Sequence, residues 1–291
     1  MRYVCCADLH IRPDKPLCRA ESQEEWIETQ FEKLSFILDF SKKEKASVLI
    51  AGDLCHRATG WPSWLFSRMI SLFKRHPQPI ICCPGQHDLP YHQIGALPES
   101  NLGVVTAARA VSCDDWEGVR VFGWGSPLSC QETGLIALTH MMILRSEKEE
   151  LWPGQVKEGK ASMADKILRD FPCFELIITG DNHQPFATSF EGRWLVNPGS
   201  MSRQKSNEQH EPGFYFYSNG EVERVMLPHK TENVLTQENT FLSLLSEDNP
   251  RMGDFLEEMG HAEKLNYWDA VQDYLKKKKI SPQVQKRLLG E

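Results

Sequence analysis

The chain has 291 residues, of which 41% are hydrophobic and 25% charged, so it can bury a large core and is neither disordered nor fibrous. Its formal charge of -7 argues against a protein that binds nucleic acid through a broad basic surface. The longest apolar runs, residues 48–51 and 135–138, are far too short for a membrane helix, and no signal peptide is expected at the start. Nine cysteines, an odd count with two adjacent pairs in apparent strands, favour reduced thiols in the cytoplasm.

Short apolar runs alternate with amphipathic stretches in the first part of the chain. The pattern predicts a strand at residues 2–7, a helix that begins after a capping box at Ser22, and a strand at residues 48–51. A second helix is predicted over residues 62–74, and the strand at residues 78–83 is stopped by a Pro-Gly pair. Strands interleaved with helices indicate a layered α/β domain.

Further strands are predicted up to about residue 228. They cover residues 118–124, 135–139, 176–179 and 193–196, followed by a hairpin over residues 213–226 that turns at Asn219-Gly220. From about residue 230 the sequence is more polar, and its apolar side chains recur at helical spacing between Phe255 and Leu275. We therefore predict a domain of residues 1–228 and a small helical extension of residues 229–291, which acts either as a cap or as a docking helix for a partner.

Acidic, amide and imidazole side chains follow five of these strands. The segments are Asp8-Leu9-His10, Gly52-Asp53-Leu54-Cys55-His56, Gly85-Gln86-His87-Asp88, Thr139-His140 and Gly180-Asp181-Asn182-His183. Each alone is compatible with ordinary turn chemistry, but five together indicate a site at the strand ends. Mixed imidazole and carboxylate ligands suit a pair of divalent cations that act on a phosphoryl centre, with one carboxylate bridging them.

These segments resemble the motifs of the calcineurin-like metallophosphoesterases, which run D-x-H, G-D, G-N-H-D/E, H and G-H-x-H in this order. The resemblance covers about residues 1–228 and implies a four-layer α/β/β/α sandwich that hydrolyses a phosphoester by in-line attack of metal-bound hydroxide. It implies the following ligands: Asp8, His10, Asp53 and His183 for the first metal, and Gln86, His140 and Asp181 for the second, with Asp53 as the bridge. His87 resembles the catalytic histidine of the family, which contacts the scissile phosphate, and His56 would help to position it.

Two positions depart from the family pattern. Gln86 stands where the family has Asn, and Asp181 stands where it has the first His of G-H-x-H. Both departures fall on the second metal. Gln86 offers the same amide oxygen one methylene further out, whereas Asp181 replaces a neutral imidazole nitrogen by a charged, harder oxygen. We therefore expect manganese as the main metal, with magnesium, iron and zinc also compatible with the ligands.

Within the superfamily, the segment from Gly52 to His56 is similar to the G-D-L-F-H form of SbcD-type DNA repair and recombination exonuclease subunits, whereas protein phosphatases carry G-D-x-V-D-R. The segments at residues 85–90 and 197–200 also resemble this nuclease branch. The resemblance implies a DNA substrate and a coiled-coil SbcC-type ATPase partner. Whether the chain forms a homodimer is left undecided by the sequence. It does not distinguish exonuclease from endonuclease activity.

Three arginines beside these motifs are candidates for contacts with DNA phosphates: Arg12, Arg57 and Arg203. The alternative for each is an ordinary solvated side chain. Residues 270–291 carry an excess of basic side chains that would steer DNA.

Two other functions fit the same sequence. The first is a phosphodiesterase or phosphatase acting on nucleotides or phosphoproteins, because a fold does not dictate its substrate. The second is a non-catalytic scaffold for an ATPase partner, in which the altered second site no longer holds metal. A shallow basic groove would favour DNA, a closed pocket would favour a small molecule, and metal content would separate the enzymes from the scaffold.

Overall fold

The computed structural model describes residues 1–130, 135–146, 162–205, 208, 210–228 and 234–235. The chain divides into two compact units, and the first comprises Met1–Lys15, Glu21–Arg203 and Glu208–Lys230. In the second unit, Arg19 and Val234 form an antiparallel bridge. The predicted helices between residues 229 and 291 and their basic end lie outside the described residues, so the domain boundary near residue 229 stays a prediction.

Twelve strands and four helices are described in chain order. The strands are β1 (Arg2–Cys6), β2 (Ser47–Ala51), β3 (Ile80–Cys83), β4 (Val119–Phe122), β5 (Leu135–Thr139), β6 (Ile143–Leu144), β7 (Ser162–Met163), β8 (Phe174–Ile178), β9 (Phe186–Phe190), β10 (Arg193–Asn197), β11 (Gly213–Ser218) and β12 (Glu221–Met226). The α-helices are α1 (Gln23–Glu44), α2 (Ser63–Lys74), α3 (Asn101–Ala107) and α4 (Ala164–Asp170), and three 3-10 turns cover Gln86–Asp88, Pro90–His92 and Ile94–Glu99.

The strands form two five-stranded sheets and one small two-stranded sheet. In the first large sheet the order is β12-β11-β1-β2-β3, and β1, β2 and β3 are parallel to one another. In the second the order is β4-β5-β8-β10-β9, in which all strands except β9 are parallel. Parallel strands end at the same edge of a sheet, so each sheet gathers the residues that follow its strands along one edge.

Three apolar clusters show how the layers stack. One lies between the first sheet and the helices α1, α2 and α3, a second joins the facing sides of the two sheets, and a third packs α4 on the outer side of the second sheet. Successive side chains of a strand point to opposite faces of the sheet, so one strand contributes to two clusters. In β1, Val4 and Cys6 pack against the helices, whereas Tyr3 and Cys5 pack against the other sheet. The domain is therefore the predicted α/β/β/α sandwich.

The local signals at α1 and at the hairpin behave as predicted. Ser22 accepts a hydrogen bond from the backbone of Glu25, and the Glu25 side chain accepts one from the backbone of Ser22, which completes the capping box. Asn219 and Gly220 both have positive φ and connect β11 to β12. Among helices in the described part of the chain, none has the length and hydrophobicity required to cross a bilayer.

The expectation of reduced thiols is wrong for one pair of cysteines. Cys130 and Cys173 form a disulfide, with their Cα atoms 5.9 Å apart. Cys173 directly precedes β8, and the second sheet brings it beside Cys130, a proximity between residues 43 positions apart that sequence spacing did not indicate. The adjacent pairs in β1 and β3 remain free buried thiols, as expected.

Candidate metal centre

The predicted ligands gather at the carboxyl ends of the parallel strands. Asp8 and His10 follow β1, Asp53 follows β2, and Gln86 follows β3. From the second sheet, His140 follows β5 directly, and Asp181 and His183 follow β8. Side chains from both sheets therefore meet at one edge of the sandwich, as the strand-end pattern predicted.

Several of these residues adopt a backbone conformation that side chains rarely take. The φ angles are 49° for Asp8, 44° for His10, 51° for Asp53 and 74° for Asp181. Non-glycine residues at positive φ are uncommon and cost free energy, so surrounding structure must hold them there. Four such residues in one cluster indicate that the surrounding structure holds these side chains in their directions at a cost in backbone conformational energy.

Asp8, His10 and His183 form the first group. The Nε2 atoms of His10 and His183 are 3.2 Å apart, and each lies about 4 Å from Oδ1 of Asp8, at 4.0 and 3.9 Å. Burial lowers the pKa of His10 well below its ordinary value. Burial also raises the pKa of Asp8, to about 7. Three converging donor atoms on largely buried side chains have the composition of a transition-metal site.

Asp53 and His140 form the second group. Nδ1 of His140 donates to the carbonyl of Ala51 at 2.7 Å, so Nε2 is the ring nitrogen that faces Oδ2 of Asp53, at 3.4 Å. Both of these atoms are buried and have no hydrogen-bond partner. Burial opposes the charged forms, but the attraction between the two side chains raises the pKa of His140 and lowers that of Asp53. A divalent cation satisfies both atoms without a proton, so this pair fits a metal.

Gln86 and Asp181 contact each other, and the backbone of Asp181 contacts Asp8. Nε2 of Gln86 donates to Oδ1 of Asp181 at 2.9 Å. The backbone N–H of Asp181 lies 3.2 Å from both carboxylate oxygens of Asp8. The two residues that depart from the family pattern are therefore in direct contact.

His87 lies at the rim of the cluster. Its Nε2 is 4.0 Å from Oδ2 of Asp53, and its side chain is 43% exposed. Nδ1 of His87 donates to the carbonyl of His56 at 3.0 Å, and the two rings stack with their centroids 5.8 Å apart. Burial, together with the positive charge of Arg12, lowers the pKa of His56 to about 3, so its ring is neutral.

Asp88 and Glu208 were not predicted as site residues. The buried Asp88 carboxylate accepts hydrogen bonds from the backbone of Leu54, Cys55 and Gly85, at 3.3, 2.8 and 2.9 Å, and so ties two ligand loops together. Asp88 is the last residue of the third motif, but its position in the sequence did not indicate that it binds the backbone of two ligand loops.

Glu208 accepts a hydrogen bond from Nδ1 of His183 at 2.8 Å and is buried. Burial opposes protonation of His183, but this bond outweighs it and raises the pKa of His183 to about 9. A carboxylate behind a metal-binding histidine orients the ring and increases its basicity. Glu208 follows no strand, so strand-end reasoning could not find it.

The three candidate substrate arginines differ in their surroundings. Arg12 is buried and forms an ion pair with Asp14, and Nε of Arg203 donates to the carbonyl of His210 at 2.8 Å. Arg57 is exposed and directly follows His56. Of the three, Arg57 is the one with an exposed side chain.

Glycines make room for the ligands. A Cβ atom on Gly85 would lie 2.2 Å from Oδ1 of Asp53, and one on Gly180 would lie 2.2 Å from the carbonyl oxygen of Ala51 and 2.7 Å from Nδ1 of His140. These approaches are closer than real Cβ contacts. The motif glycines are therefore part of the architecture that places Asp53 and His140.

Comparison with known proteins places this site in a family. The family model for calcineurin-like phosphoesterases matches residues 1–187, a span that contains all seven predicted ligands. No curated protein matches the chain.

Several solved structures are similar to this chain at low sequence identity. An archaeal phosphodiesterase is 11% identical, with a TM-score of 0.43 over 78% of this chain and 100% of that one. Vps29 from Entamoeba histolytica, solved with zinc, is 16% identical, with a TM-score of 0.37 over 78% and 99% of the two chains. Vacuolar protein sorting 29 from Cryptosporidium parvum is 15% identical, with a TM-score of 0.35 over 79% and 98%. Because the family model spans well over half of the sequence, the chain belongs to the calcineurin-like phosphoesterase family.

Proposed function

We propose that this protein is a manganese-dependent DNA nuclease of the SbcD type. The observation that carries the proposal is the position of His87, which faces the buried Asp53 cluster with Nε2 while 43% of its side chain is exposed. Such a residue can reach the cluster and an incoming phosphodiester at the same time. A purely structural histidine would be expected inside the core with both ring nitrogens bonded.

The residues fit a pair of divalent cations. Asp8, His10 and His183 would hold the first, Gln86, His140 and Asp181 would hold the second, and Asp53 would contact both. When bound, the two ions supply positive charge for the phosphate oxygens and a water made nucleophilic at neutral pH. The unpartnered oxygen and nitrogen of Asp53 and His140 are the observation in favour of this loading.

The chain's own residues supply proton transfer and orientation. Because Nδ1 of His87 donates to the carbonyl of His56, Nε2 is the ring nitrogen that faces the substrate. In the imidazolium form Nε2 would carry a proton and give it to the substrate's leaving oxygen, which leaves the neutral ring with Nδ1–H. His56 stacks on His87 and limits its rotation. In the proposed mechanism, His87 is the catalytic acid and His56 is its positioning residue.

DNA as the substrate is supported by the segment from Gly52 to His56, which is similar to the nuclease branch, and by Arg57 beside it. The exposed Arg57 would hold a backbone phosphate next to His87. An SbcC-type ATPase partner belongs to the same proposal, and its docking site would fall in residues 229–291, outside the described part of the chain.

The test is hydrolysis of end-labelled single- and double-stranded DNA and of a small phosphodiester, each with manganese, magnesium or chelator. We expect manganese-dependent DNA cleavage that His87→Ala abolishes without loss of bound metal. Arg57→Ala should weaken DNA cleavage more than ester cleavage. The control is Lys74→Ala, an exposed cation at the end of α2, which leads into the opposite end of β3.

The outcomes separate the alternatives. Turnover of the small ester alone would assign the protein to the phosphodiesterases or phosphatases. Absence of both activities in a protein that binds no metal would favour the scaffold function. Loss of metal in His87→Ala would make His87 a ligand rather than the catalytic acid.

A further inference from the structure

We infer that Gln86 is a positioning residue that holds the carboxylate of Asp181 in place for the second metal, so that the two side chains act as one unit. The inference rests on the proposed dinuclear centre and concerns how its second site is built. It begins from the contact of 2.9 Å between Nε2 of Gln86 and Oδ1 of Asp181.

The chemistry of the two groups dictates which end of the amide faces Asp181. An ionised carboxylate can only accept hydrogen bonds, so the amide must present its NH2 group to Asp181. The carbonyl oxygen Oε1 of Gln86 is then left as a ligand for a cation. A single side chain thus orients one ligand and offers another.

The backbone of Asp181 is held independently. Its N–H reaches both carboxylate oxygens of Asp8 at 3.2 Å, and its φ of 74° is a conformation that few side chains take. With the main chain fixed in this way, the direction of the carboxylate depends on the side-chain torsions. The bond from Gln86 restricts these torsions.

The two metal sites consequently differ in donor chemistry. The first would combine two imidazoles, from His10 and His183, with two carboxylates. The second would combine one imidazole, from His140, with the carboxylates of Asp53 and Asp181 and the amide oxygen of Gln86. Three oxygens against one nitrogen favour a hard cation such as Mn²⁺ or Mg²⁺ at the second site.

The test measures Mn²⁺ binding to the full chain in the absence of any substrate. Manganese is titrated into metal-free protein, and the stoichiometry and affinities are read by electron paramagnetic resonance and calorimetry. We expect two sites in the wild type. Gln86→Leu should weaken the second by at least about 10- to 100-fold, because it removes an oxygen ligand together with the partner that orients Asp181, and leave the first unchanged.

A double-mutant cycle separates positioning from simple ligation. Gln86→Leu and Asp181→Ala should be strongly non-additive, because removing either partner already releases the other. The control cycle pairs Gln86→Leu with His140→Ala, two residues that would share the ion without an observed bond to each other, and should be closer to additive. Thermal unfolding in chelator checks that each variant is folded.

Three results would decide the matter. Equal additivity in the two cycles would overturn the positioning role, and so would an unchanged second site in Gln86→Leu. A wild-type chain that binds one manganese would overturn the dinuclear centre itself. Failure to cleave DNA would affect only the proposed substrate, because none of these measurements uses DNA.

Discussion

The backbone N–H of His87 donates to Oδ1 of Asp53 at 2.8 Å, while Oδ2 of the same carboxylate faces His140 at 3.4 Å. One oxygen of Asp53 is thereby committed to the loop that carries the candidate catalytic residue, and the other is available to metal. Movement of the carboxylate would therefore disturb the metal centre and the position of His87 together. This arrangement makes Asp53 the residue on which the two parts of the site depend.

Asp53→Asn should abolish hydrolysis while preserving the fold. The amide oxygen can still accept from His87, but an NH2 group in the place of Oδ2 cannot ligate a cation. Loss of several kcal/mol of charge stabilisation corresponds to a rate loss on the order of 1,000-fold or more. Metal analysis should show less than two ions per chain. Full activity in this variant would show that Asp53 does not bridge the metals.

Gly180→Ala should impair metal binding and destabilise the protein by about 1–3 kcal/mol, the usual cost of overpacking. Its Cβ would lie 2.2 Å from the carbonyl oxygen of Ala51 and so disrupt the bond that orients His140. Chemical denaturation and a manganese titration would measure the two effects. The matched control is Gly95→Ala, since a Cβ at Gly95 meets no atom within 4 Å. Equal behaviour of the two variants would contradict the role assigned to Gly180.

The sequence was most informative where a local rule decides the structure. The capping box at Ser22 and the Asn219-Gly220 turn are local signals, and both were predicted correctly. The ligand cluster was predictable because parallel strands end at one edge, so a polar residue after each strand is brought to the same place. The structure confirms this convergence, while the ligand roles themselves stay predictions.

Features that depend on distant packing were not predictable in this way. The short elements β9, α3 and α4 lack a clear period, and α3 contains Gly103, which weakens a helical signal. Glu208 reaches His183 across 25 positions, and Cys130 reaches Cys173 across 43. Likewise, the ion pair of Arg12 with Asp14 and the bond from Arg203 to the backbone depend on side-chain contacts that spacing does not encode.

His210 should make the protein less stable in acid. It is buried against Ser200, and burial lowers its pKa from 6.5 to about 4. Between these values the unfolded chain binds a proton that the folded chain does not, so stability is full above about pH 6.5 and falls as the pH decreases toward 4. The loss from this one group is at most about 3 kcal/mol.

Urea denaturation between pH 7.5 and 4.5, with chelator present, measures that loss. His210→Gln should show a shallower decline of the unfolding free energy than the wild type, whatever its stability at pH 7.5. His92→Gln is the control, since His92 is exposed, and it should follow the wild-type curve. Parallel curves for the wild type and His210→Gln would show that the burial of His210 does not govern acid stability.

Glu208→Gln should weaken the first metal site without emptying the second. Glutamine keeps an oxygen that can accept from Nδ1 of His183, but it removes the negative charge that increases the basicity of the ring. The expected loss of affinity is about 10- to 100-fold, the usual effect of replacing a partner behind a metal ligand. A competition titration of Mn²⁺ against a chelator would resolve the two sites.

The control for this change is Glu211→Gln, a substitution with the same chemistry at an exposed position three residues further along the chain. It should leave both affinities unchanged, because its carboxylate is in solvent and a surface charge has little effect on a buried site. If Glu208→Gln and Glu211→Gln bound manganese alike, the bond to His183 would be structural and would not tune the metal. If Glu208→Gln weakened both sites equally, its effect would be on the whole cluster, through the contacts of Asp8 with both groups.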